Sequence, residues 1–228
     1  MLCNNLVHMN DITTASANHC SWPTRTVQLP IGALTISMET IASFDAVLDD
    51  FATAAPNDTD KIPYFAEIWP SALALAEFLA ENRDLLANKE VIELGCGLGL
   101  PSIVAAKCGA RSVIATDFHP ACLPYCFANI EKNDVSDVVT CRHLDWRVPS
   151  IGQTFDCIIG SDLLYEAPQI NALLQCIAHI QRPHTILILA DPLRKHIQPA
   201  ADQLQQSGWH IDYQPVGEIM ILTAKRSA

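Results

Sequence analysis

The chain has 228 residues, of which half are hydrophobic and 17% are charged, and its formal net charge is −11. This acidic balance argues against binding to the phosphate backbone of nucleic acids, which requires clustered lysine and arginine side chains. No apolar run approaches the length that spans a bilayer, so we expect neither a nucleic acid nor a membrane as a partner.

The segment 1–22 is polar, has no periodicity and contains no lysine or arginine, unlike a secretory or mitochondrial leader. We therefore expect a flexible N-terminal arm over residues 1–22 and a cytoplasmic protein. Nine cysteines are scattered along the chain without any C-x-x-C pair, and most lie within apolar patterns. This distribution predicts buried free thiols and no metal site.

Residues 23–86 are predicted to form an N-terminal extension that packs on a core domain. Partial alternation over Thr26–Ser37, around the segment Pro-Ile-Gly-Ala, predicts a β-hairpin. Helical spacing predicts one helix over Phe44–Phe51 and another over Ser71–Leu86, with Pro70 in its first turn. The segment Ala55–Asp58 should separate these two helices.

In residues 87–228, the predicted core, strand and helix patterns alternate, which indicates a parallel sheet covered on both faces. The predicted strands are Lys89–Leu94, Ser112–Asp117, Val138–Arg142, Phe155–Gly160, Thr185–Ala190, Trp209–Tyr213 and Ile219–Ala224. The predicted helices are Pro101–Cys108, Ala121–Asn133, Pro168–Ile180 and Ile197–Ser207, with a loop or short helix after Asp145. The last two strands are close enough in sequence to form an antiparallel hairpin.

The end of the first core strand carries the run VIELGCGLGLP at residues 91–101. A strand, a glycine turn and a helix N-terminus form a cradle for a nucleotide at the carboxyl edge of a parallel sheet. The dinucleotide fingerprint is G-x-G-x-x-G, but here Leu100 takes the place of its third glycine. Glu93 in front of the turn is unfavourable for a pyrophosphate and suits a ligand with a cationic amine. The run resembles motif I of the class I S-adenosylmethionine-dependent methyltransferases; an ordinary glycine turn is the alternative.

Two further strand ends carry candidate nucleoside contacts. Asp117 follows the glycines by about twenty residues, where a carboxylate can accept hydrogen bonds from both ribose hydroxyls. Its alternative role is to cap the helix that begins near Pro120. Asp145 can accept a hydrogen bond from the adenine amine, and Trp146 can stack on the base or wall it off. Their alternative roles are a capping aspartate and a core tryptophan.

The fourth strand end, SDLLY at residues 161–165, completes a series of motifs. The others, in chain order, are IWPSA at 68–72, the glycine run, ATD at 115–117 and DW at 145–146. Together they resemble the methyltransferase family 16 group, the seven-strand protein-lysine methyltransferase-like enzymes. The D-x-x-Y signature of that group is matched by Asp162 and Tyr165, and the resemblance extends roughly from Pro63 to Lys225.

This resemblance implies an α/β fold with a Rossmann-like, doubly wound sheet of seven strands whose seventh strand is antiparallel. It also implies S-adenosyl-L-methionine as the cofactor. The residues expected at the cofactor are Trp69, Glu93, Gly95, Cys96, Gly97, Asp117, Asp145, Trp146 and Ser161.

Asp162 and Tyr165 are the expected catalytic residues. We expect Tyr165 to wall and orient the acceptor amine, and Asp162 to accept an N–H bond from it or to brace the loop; capping of the next helix is the alternative for Asp162. Tyr64 and Phe65 are candidate pocket walls, and Arg194 lies at the same edge of the sheet.

The sequence therefore predicts a monomeric N-methyltransferase that acts on a lysine side chain of a protein. One alternative keeps the cofactor and replaces the acceptor with a small-molecule amine or a nicotinamide-like nitrogen. Another alternative is a non-catalytic module that binds the cofactor or a partner.

Overall fold

The computed structural model describes residues 22–54, 62–165 and 167–226. The arm predicted over residues 1–22 therefore lies outside the described residues except for Trp22, and the predicted interruption at Ala55–Asp58 lies outside them entirely. Trp22 itself is packed on the fold. Its backbone N–H donates a 2.9 Å hydrogen bond to the hydroxyl of Tyr125, and the two rings stack with centroids 6.2 Å apart.

A β-hairpin and a helix precede the main sheet, as predicted. Strand β1 spans Thr24–Ile31, strand β2 spans Leu34–Ile41, and helix α1 spans Phe44–Ala54. The two strands pair in an antiparallel register around a two-residue turn that begins at Gly32. Gly32 has a φ of +53°, the left-handed conformation that such turns require.

Two buried asparagines attach this hairpin to the core. Asn129 lies on helix α4, which spans Leu123–Lys132, and Asn133 caps the C-terminal end of that helix. The Oδ1 atom of Asn129 accepts a 2.6 Å hydrogen bond from the N–H of Glu39, and Oδ1 of Asn133 accepts one of 3.1 Å from the N–H of Ser37. The hairpin therefore packs on α4 through hydrogen bonds to its backbone.

The main sheet has seven strands, which confirms the predicted fold class. Its strands are β3 (Glu90–Leu94), β4 (Ser112–Asp117), β5 (Val139–His143), β6 (Phe155–Ser161), β7 (Gln181–Asp191), β8 (Trp209–Val216) and β9 (Ile219–Arg226). Their order across the sheet is β5-β4-β3-β6-β7-β9-β8. Strand β9 is the seventh of the sheet along the chain and pairs antiparallel with both β7 and β8, while the other pairs are parallel.

Helices cover both faces of this sheet. Besides α4 they are α2 (Pro70–Glu81), α3 (Leu100–Lys107), α5 (Ala167–Ile180) and α6 (Ile197–Gln206). Consecutive strand residues point to opposite faces, so Val91 belongs to the core beneath α2, α3 and α4, whereas Ile92 belongs to the core beneath α5 and α6. In the described part of the chain, no helix is both long enough and apolar enough to cross a membrane.

Several element boundaries differ from the prediction, among them those of α2 and β7. Helix α2 ends at Glu81 because the amide of Asn82 donates to the carbonyl of Phe78, and a short 3-10 helix then spans Arg83–Leu85. Strand β7 begins four residues early, at Gln181, and its pairing with β6 is irregular there. The segment after Asp145 forms a turn without a helix.

The connections from β3 and β6 run to opposite sides of the sheet, so the strand order reverses between these two neighbours. In doubly wound sheets, ligands bind outside the carboxyl ends of the strands at this reversal. The ends of β3, β4, β5 and β6 therefore surround the candidate site.

Candidate active site

Three glycines after β3 shape the loop at the centre of the cleft. Gly95, Gly97 and Gly99 have φ angles of +67°, +49° and +88°, values that residues other than glycine rarely adopt. A Cβ atom on Gly95 would lie 2.6 Å from the side chain of Leu163, and one on Gly99 would lie 2.6 Å from Sγ of Cys126. A Cβ on Gly97 would lie in ordinary van der Waals contact with the backbone of Phe65, 3.6 Å away, so this glycine is required for its backbone angle.

Glu93 lies beneath the loop and does not line the cleft. Its side chain is fully buried, and Oε2 accepts hydrogen bonds from the N–H of Ser102 at 2.9 Å and from its Oγ at 2.5 Å. Because the first N–H groups of a helix lack partners within the helix, Glu93 serves as a cap for α3. Burial raises the pKa of Glu93 to about 8, while the bonds from Ser102 oppose the shift. Glu93 was predicted to contact a ligand amine, but the structure gives it a different role: it supports the glycine loop and the start of α3 from beneath.

Asp117 ends β4 beside the same loop and is held by two backbone groups. Its Oδ2 accepts a 2.9 Å hydrogen bond from the N–H of Gly97, and Oδ1 accepts one of 2.8 Å from the N–H of His119. Burial raises the pKa of Asp117, and these two bonds oppose the shift. The 3-10 helix that follows is capped by His119, whose Nδ1 accepts a hydrogen bond from the N–H of Ala121. His119 therefore has the capping role that was the alternative for Asp117. Asp117 lines the cleft as a fixed acceptor.

The turn after β5 adds Asp145 and Trp146 to the wall of the cleft. Nε and Nη2 of Arg147 each lie 2.9 Å from an oxygen of Asp145. Burial would raise the pKa of Asp145, but the hydrogen bonds and charge of Arg147 outweigh it and lower the pKa. Trp146 is 8% exposed, so one ring serves the core and also forms part of the wall.

The turn after β6 holds Asp162 in an uncommon conformation. Its φ is +58°, which a non-glycine residue adopts only where the surroundings impose it. Oδ1 of Asp162 lies 2.6 Å from Nη1 of Arg194. Its other oxygen, Oδ2, is buried and accepts no hydrogen bond from the described residues. Asp162 therefore offers one unused acceptor atom at a position that lines the cleft.

Arg194 connects Asp162 to a second carboxylate. Its Nη1 lies 2.9 Å from Oδ2 of Asp191, which ends β7 and is 1% exposed. Burial raises the pKa of Asp191, while the hydrogen bonds and charge of Arg194 oppose the shift. For Arg194, burial alone would lower the pKa, but the two carboxylates outweigh it and raise the pKa. The three charges sum to −1.

Aromatic rings border the mouth of the cleft next to Asp162. The ring of Tyr64 lies 6.2 Å from that of Trp69 and 5.6 Å from that of Tyr165. The indole N–H of Trp69 donates a 2.7 Å hydrogen bond to the carbonyl of Tyr64. Tyr64 and Tyr165 are 41% and 38% exposed, which is high for aromatic residues, whereas Phe65 is buried and its ring lies 4.7 Å from that of His119.

One cleft brings together all the predicted site residues except Glu93. Those that line it are Trp69, Gly95, Cys96, Gly97, Asp117, Asp145, Trp146, Ser161, Asp162 and Tyr165. The cleft is open to solvent on one side, and the space within and in front of it is about 1010 Å³. The sequence analysis did not assign Phe118, His119, Arg147 or Gln169, which also line it. The first three lie one or two residues after the predicted aspartates Asp117 and Asp145, and that proximity was their only signal.

Comparison with known families gives this cleft a family context. The family model described as lysine methyltransferase matches residues 55–200, more than half of the chain. The chain belongs to this family. The matched range contains the glycine loop, Asp117, Asp162 and Tyr165, so the resemblance inferred from these motifs is confirmed.

Individual relatives agree with this assignment. The chain is 37% identical over 142 residues to protein-lysine methyltransferase METTL21E of Mus musculus, covering 56% of each chain. It is 33% identical over 118 residues to histone-arginine methyltransferase METTL23 of Rattus norvegicus, covering 50% of this chain and 52% of that protein. The chain thus spans about half the length of the curated relatives it matches.

Among solved structures, the fold is similar to that of the T. thermophilus 16S rRNA N2 G1207 methyltransferase RsmC in complex with AdoMet and guanosine. The TM-score is 0.63 at 18% identity, over 90% of this chain and 51% of that chain. At this identity the similarity concerns the fold alone.

Proposed function

We propose that this protein is an S-adenosylmethionine-dependent methyltransferase that methylates the side-chain amine of a protein lysine. One observation carries the proposal. A loop suited to a nucleoside and a D-x-x-Y turn with an unused carboxylate oxygen line the same cleft, at the ends of the neighbouring strands β3 and β6.

The residues on the β3–β5 side fit the cofactor. The carboxylate of Asp117 would hold the two ribose hydroxyls, Asp145 would accept from the adenine amine, and Trp146 would wall the base. Gly95 and Gly97 line the cleft, and the absence of side chains there lets a ligand approach the main chain. When bound, the cofactor supplies a methyl group on a cationic sulfur, an electrophile that needs no further activation.

The residues on the β6–β7 side fit an amine. A lysine amine attacks only when uncharged, and its pKa in water is about 10.4. The rings of Tyr64, Trp69 and Tyr165 would desolvate the amine and so favour its neutral form. Oδ2 of Asp162 would accept one N–H bond and thereby orient the lone pair of the nitrogen. The proton released after methylation passes to solvent through the open mouth.

Two features favour a protein side chain over a small-molecule acceptor. The rings of Tyr64 and Tyr165 are exposed at the mouth, where a long side chain on a larger surface can reach the cleft. The two relatives described above are named as methyltransferases of protein lysine and of histone arginine. Both side chains carry nitrogen at the end of a flexible aliphatic chain.

We further propose a cytoplasmic, monomeric enzyme without a nucleic-acid or membrane partner. The seven cysteines among the described residues are all free, which suits a reducing compartment. The net charge of −11 is unfavourable for a polyanionic partner.

Transfer of labelled methyl groups tests this proposal. The wild-type protein is incubated with methyl-labelled S-adenosylmethionine and a cell extract, and the extract proteins are hydrolysed to amino acids. We expect label in methyllysine. Asp162→Asn, which preserves the size of the side chain but removes its charge, should lower the rate about 10- to 100-fold, the equivalent of one hydrogen bond to a charged group.

Label found only in the low-mass fraction, or only in methylarginine, would contradict the lysine assignment. An Asp162→Asn variant with wild-type turnover would remove Asp162 from the catalytic residues.

A further inference from the structure

Four cysteines from three separate segments of the chain meet beneath the glycine loop. Sγ of Cys96 lies 3.9 Å from Sγ of Cys126, which in turn lies 3.2 Å from Sγ of Cys141. On the other side of Cys96 is Cys122, in the short helix after β4. The Sγ atoms of Cys96 and Cys122 and a carboxylate oxygen of Asp117 all lie within 4.8 Å of one another.

This trio has the composition and spacing of a metal site. Thiolate sulfur and carboxylate oxygen bind zinc at about 2.3 Å and 2.0–2.2 Å in a tetrahedral arrangement. Ligand atoms at those distances are roughly 3.5–3.8 Å apart. The three atoms therefore need to approach one another by about 1 Å at most, which side-chain rotation can supply.

We propose that Cys96, Cys122 and Asp117 bind a thiophilic divalent cation of the zinc type, and that the occupied site excludes the cofactor. The second half of this inference rests on the proposed function, in which Asp117 holds the ribose. The cation would occupy the same carboxylate and fix Cys96 in the loop, so the two ligands would compete.

The chemistry of binding balances with the groups present. Each thiol loses its proton to solvent as its sulfur forms a bond to the cation, and Asp117 binds as the carboxylate. With two thiolates and one carboxylate bound to a divalent cation, the site has a net charge of −1. The attraction between the cation and these anions offsets the cost of burying the thiolates. A water molecule can take the fourth position.

The cleft provides a path of entry. Cys96 and Asp117 line it, and a cation that arrives there meets Cys122 directly behind them. Cys122 is fully buried and does not line the cleft, and its thiol hydrogen-bonds Asp117 from behind the wall of the cleft. Sequence reasoning predicted no metal site because these three residues form no recognised spacing pattern; β4 brings them together.

Cobalt serves as the probe for the cation. Wild-type protein, dialysed against a chelator, is titrated with Co²⁺; we expect a thiolate-to-cobalt charge-transfer band and the visible bands of a tetrahedral site at one equivalent. Cys122→Ala should lose these bands. Cys176→Ala, a matched change of a buried cysteine on α5 at the opposite face of the sheet, should keep them.

Zinc then tests exclusion of the cofactor. One equivalent of Zn²⁺ should weaken S-adenosylmethionine binding about tenfold or more in the wild type and in Cys176→Ala, since a hydrogen-bonded charge is lost. The affinity of Cys122→Ala for the cofactor should be the same with and without Zn²⁺, and this paired comparison is needed because Cys122 also hydrogen-bonds Asp117. Circular dichroism checks its fold, and Cys122→Ser replaces it if it is unfolded.

Cobalt bands that persist in Cys122→Ala, or zinc-loaded protein that binds the cofactor with unchanged affinity, would overturn the inference. The two proposals fail separately. Protein that shows the cobalt bands but binds no cofactor keeps the metal site and contradicts the proposed function. Protein that binds the cofactor and shows no cobalt bands contradicts the metal site and leaves the proposed function intact.

Discussion

The two sides of the cleft are held by different kinds of interaction. On the β3–β4 side, the backbone N–H groups of Gly97 and His119 hold Asp117, and the N–H and hydroxyl of Ser102 hold Glu93. On the β6–β7 side, the side chain of Arg194 holds Asp162, and both the side chain and the backbone N–H of Arg194 hold the buried Asp191. Backbone contacts survive most substitutions, whereas a shared ion pair depends on one residue.

This difference indicates a division of roles. The rigid side suits a ligand that is the same in every reaction, and the side-chain-dependent side suits an acceptor that differs between relatives. The exposed Tyr64 and Tyr165 lie on the second side, where a substitution at the surface would alter which acceptor can bind.

The largest expected effect comes from neutralising Glu93 on the rigid side. Its pKa of about 8 in the folded protein lies above the ordinary value of 4.5, so the folded state keeps a proton that the unfolded chain loses as pH rises. Glu93 therefore lowers stability progressively from about pH 4.5 to pH 8. Glu93→Gln keeps an acceptor for Ser102 and removes this penalty.

Urea unfolding at pH 5 and pH 8 measures the difference. The free energy of unfolding of Glu93→Gln relative to the wild type should increase by about 3 kcal/mol between these values, at 1.36 kcal/mol per pKa unit. Equal pH dependence in the two proteins would show that Glu93 is charged in the folded state and would remove the contrast between the two sides.

A smaller effect is expected from Arg194 on the other side. Arg194→Met leaves Asp162 free to turn, so turnover should fall about tenfold, the equivalent of a weakened charged hydrogen bond, while the affinity for the cofactor is unchanged. Arg194→Lys keeps the charge without the planar geometry and should recover part of the rate.

Turnover and cofactor dissociation constants, measured separately, distinguish positioning from folding. Equal losses of turnover and cofactor affinity in both variants would mean that Arg194 maintains the whole cleft, which would contradict the separation of its two sides.

Sequence reasoning succeeded where the signal is local. The glycine loop, Asp117 and the D-x-x-Y turn each follow a strand directly, and the carboxyl ends of parallel strands meet at one edge. It failed for Glu93, because alternation along β3 does not reveal which face α3 covers. It also could not foresee that Arg194 joins Asp162 to Asp191, since a side-chain contact between two turns has no sequence pattern.

Calorimetric titration of S-adenosylmethionine into three proteins tests the central claim most directly. The wild type should bind one molecule per chain. Asp117→Ala should bind about 10- to 100-fold more weakly because it loses the acceptor for the ribose, and Asp162→Asn should bind like the wild type. Folded wild-type protein that releases no heat, or an equal loss of affinity in both variants, would contradict the assignment of the cofactor to the β3–β4 side.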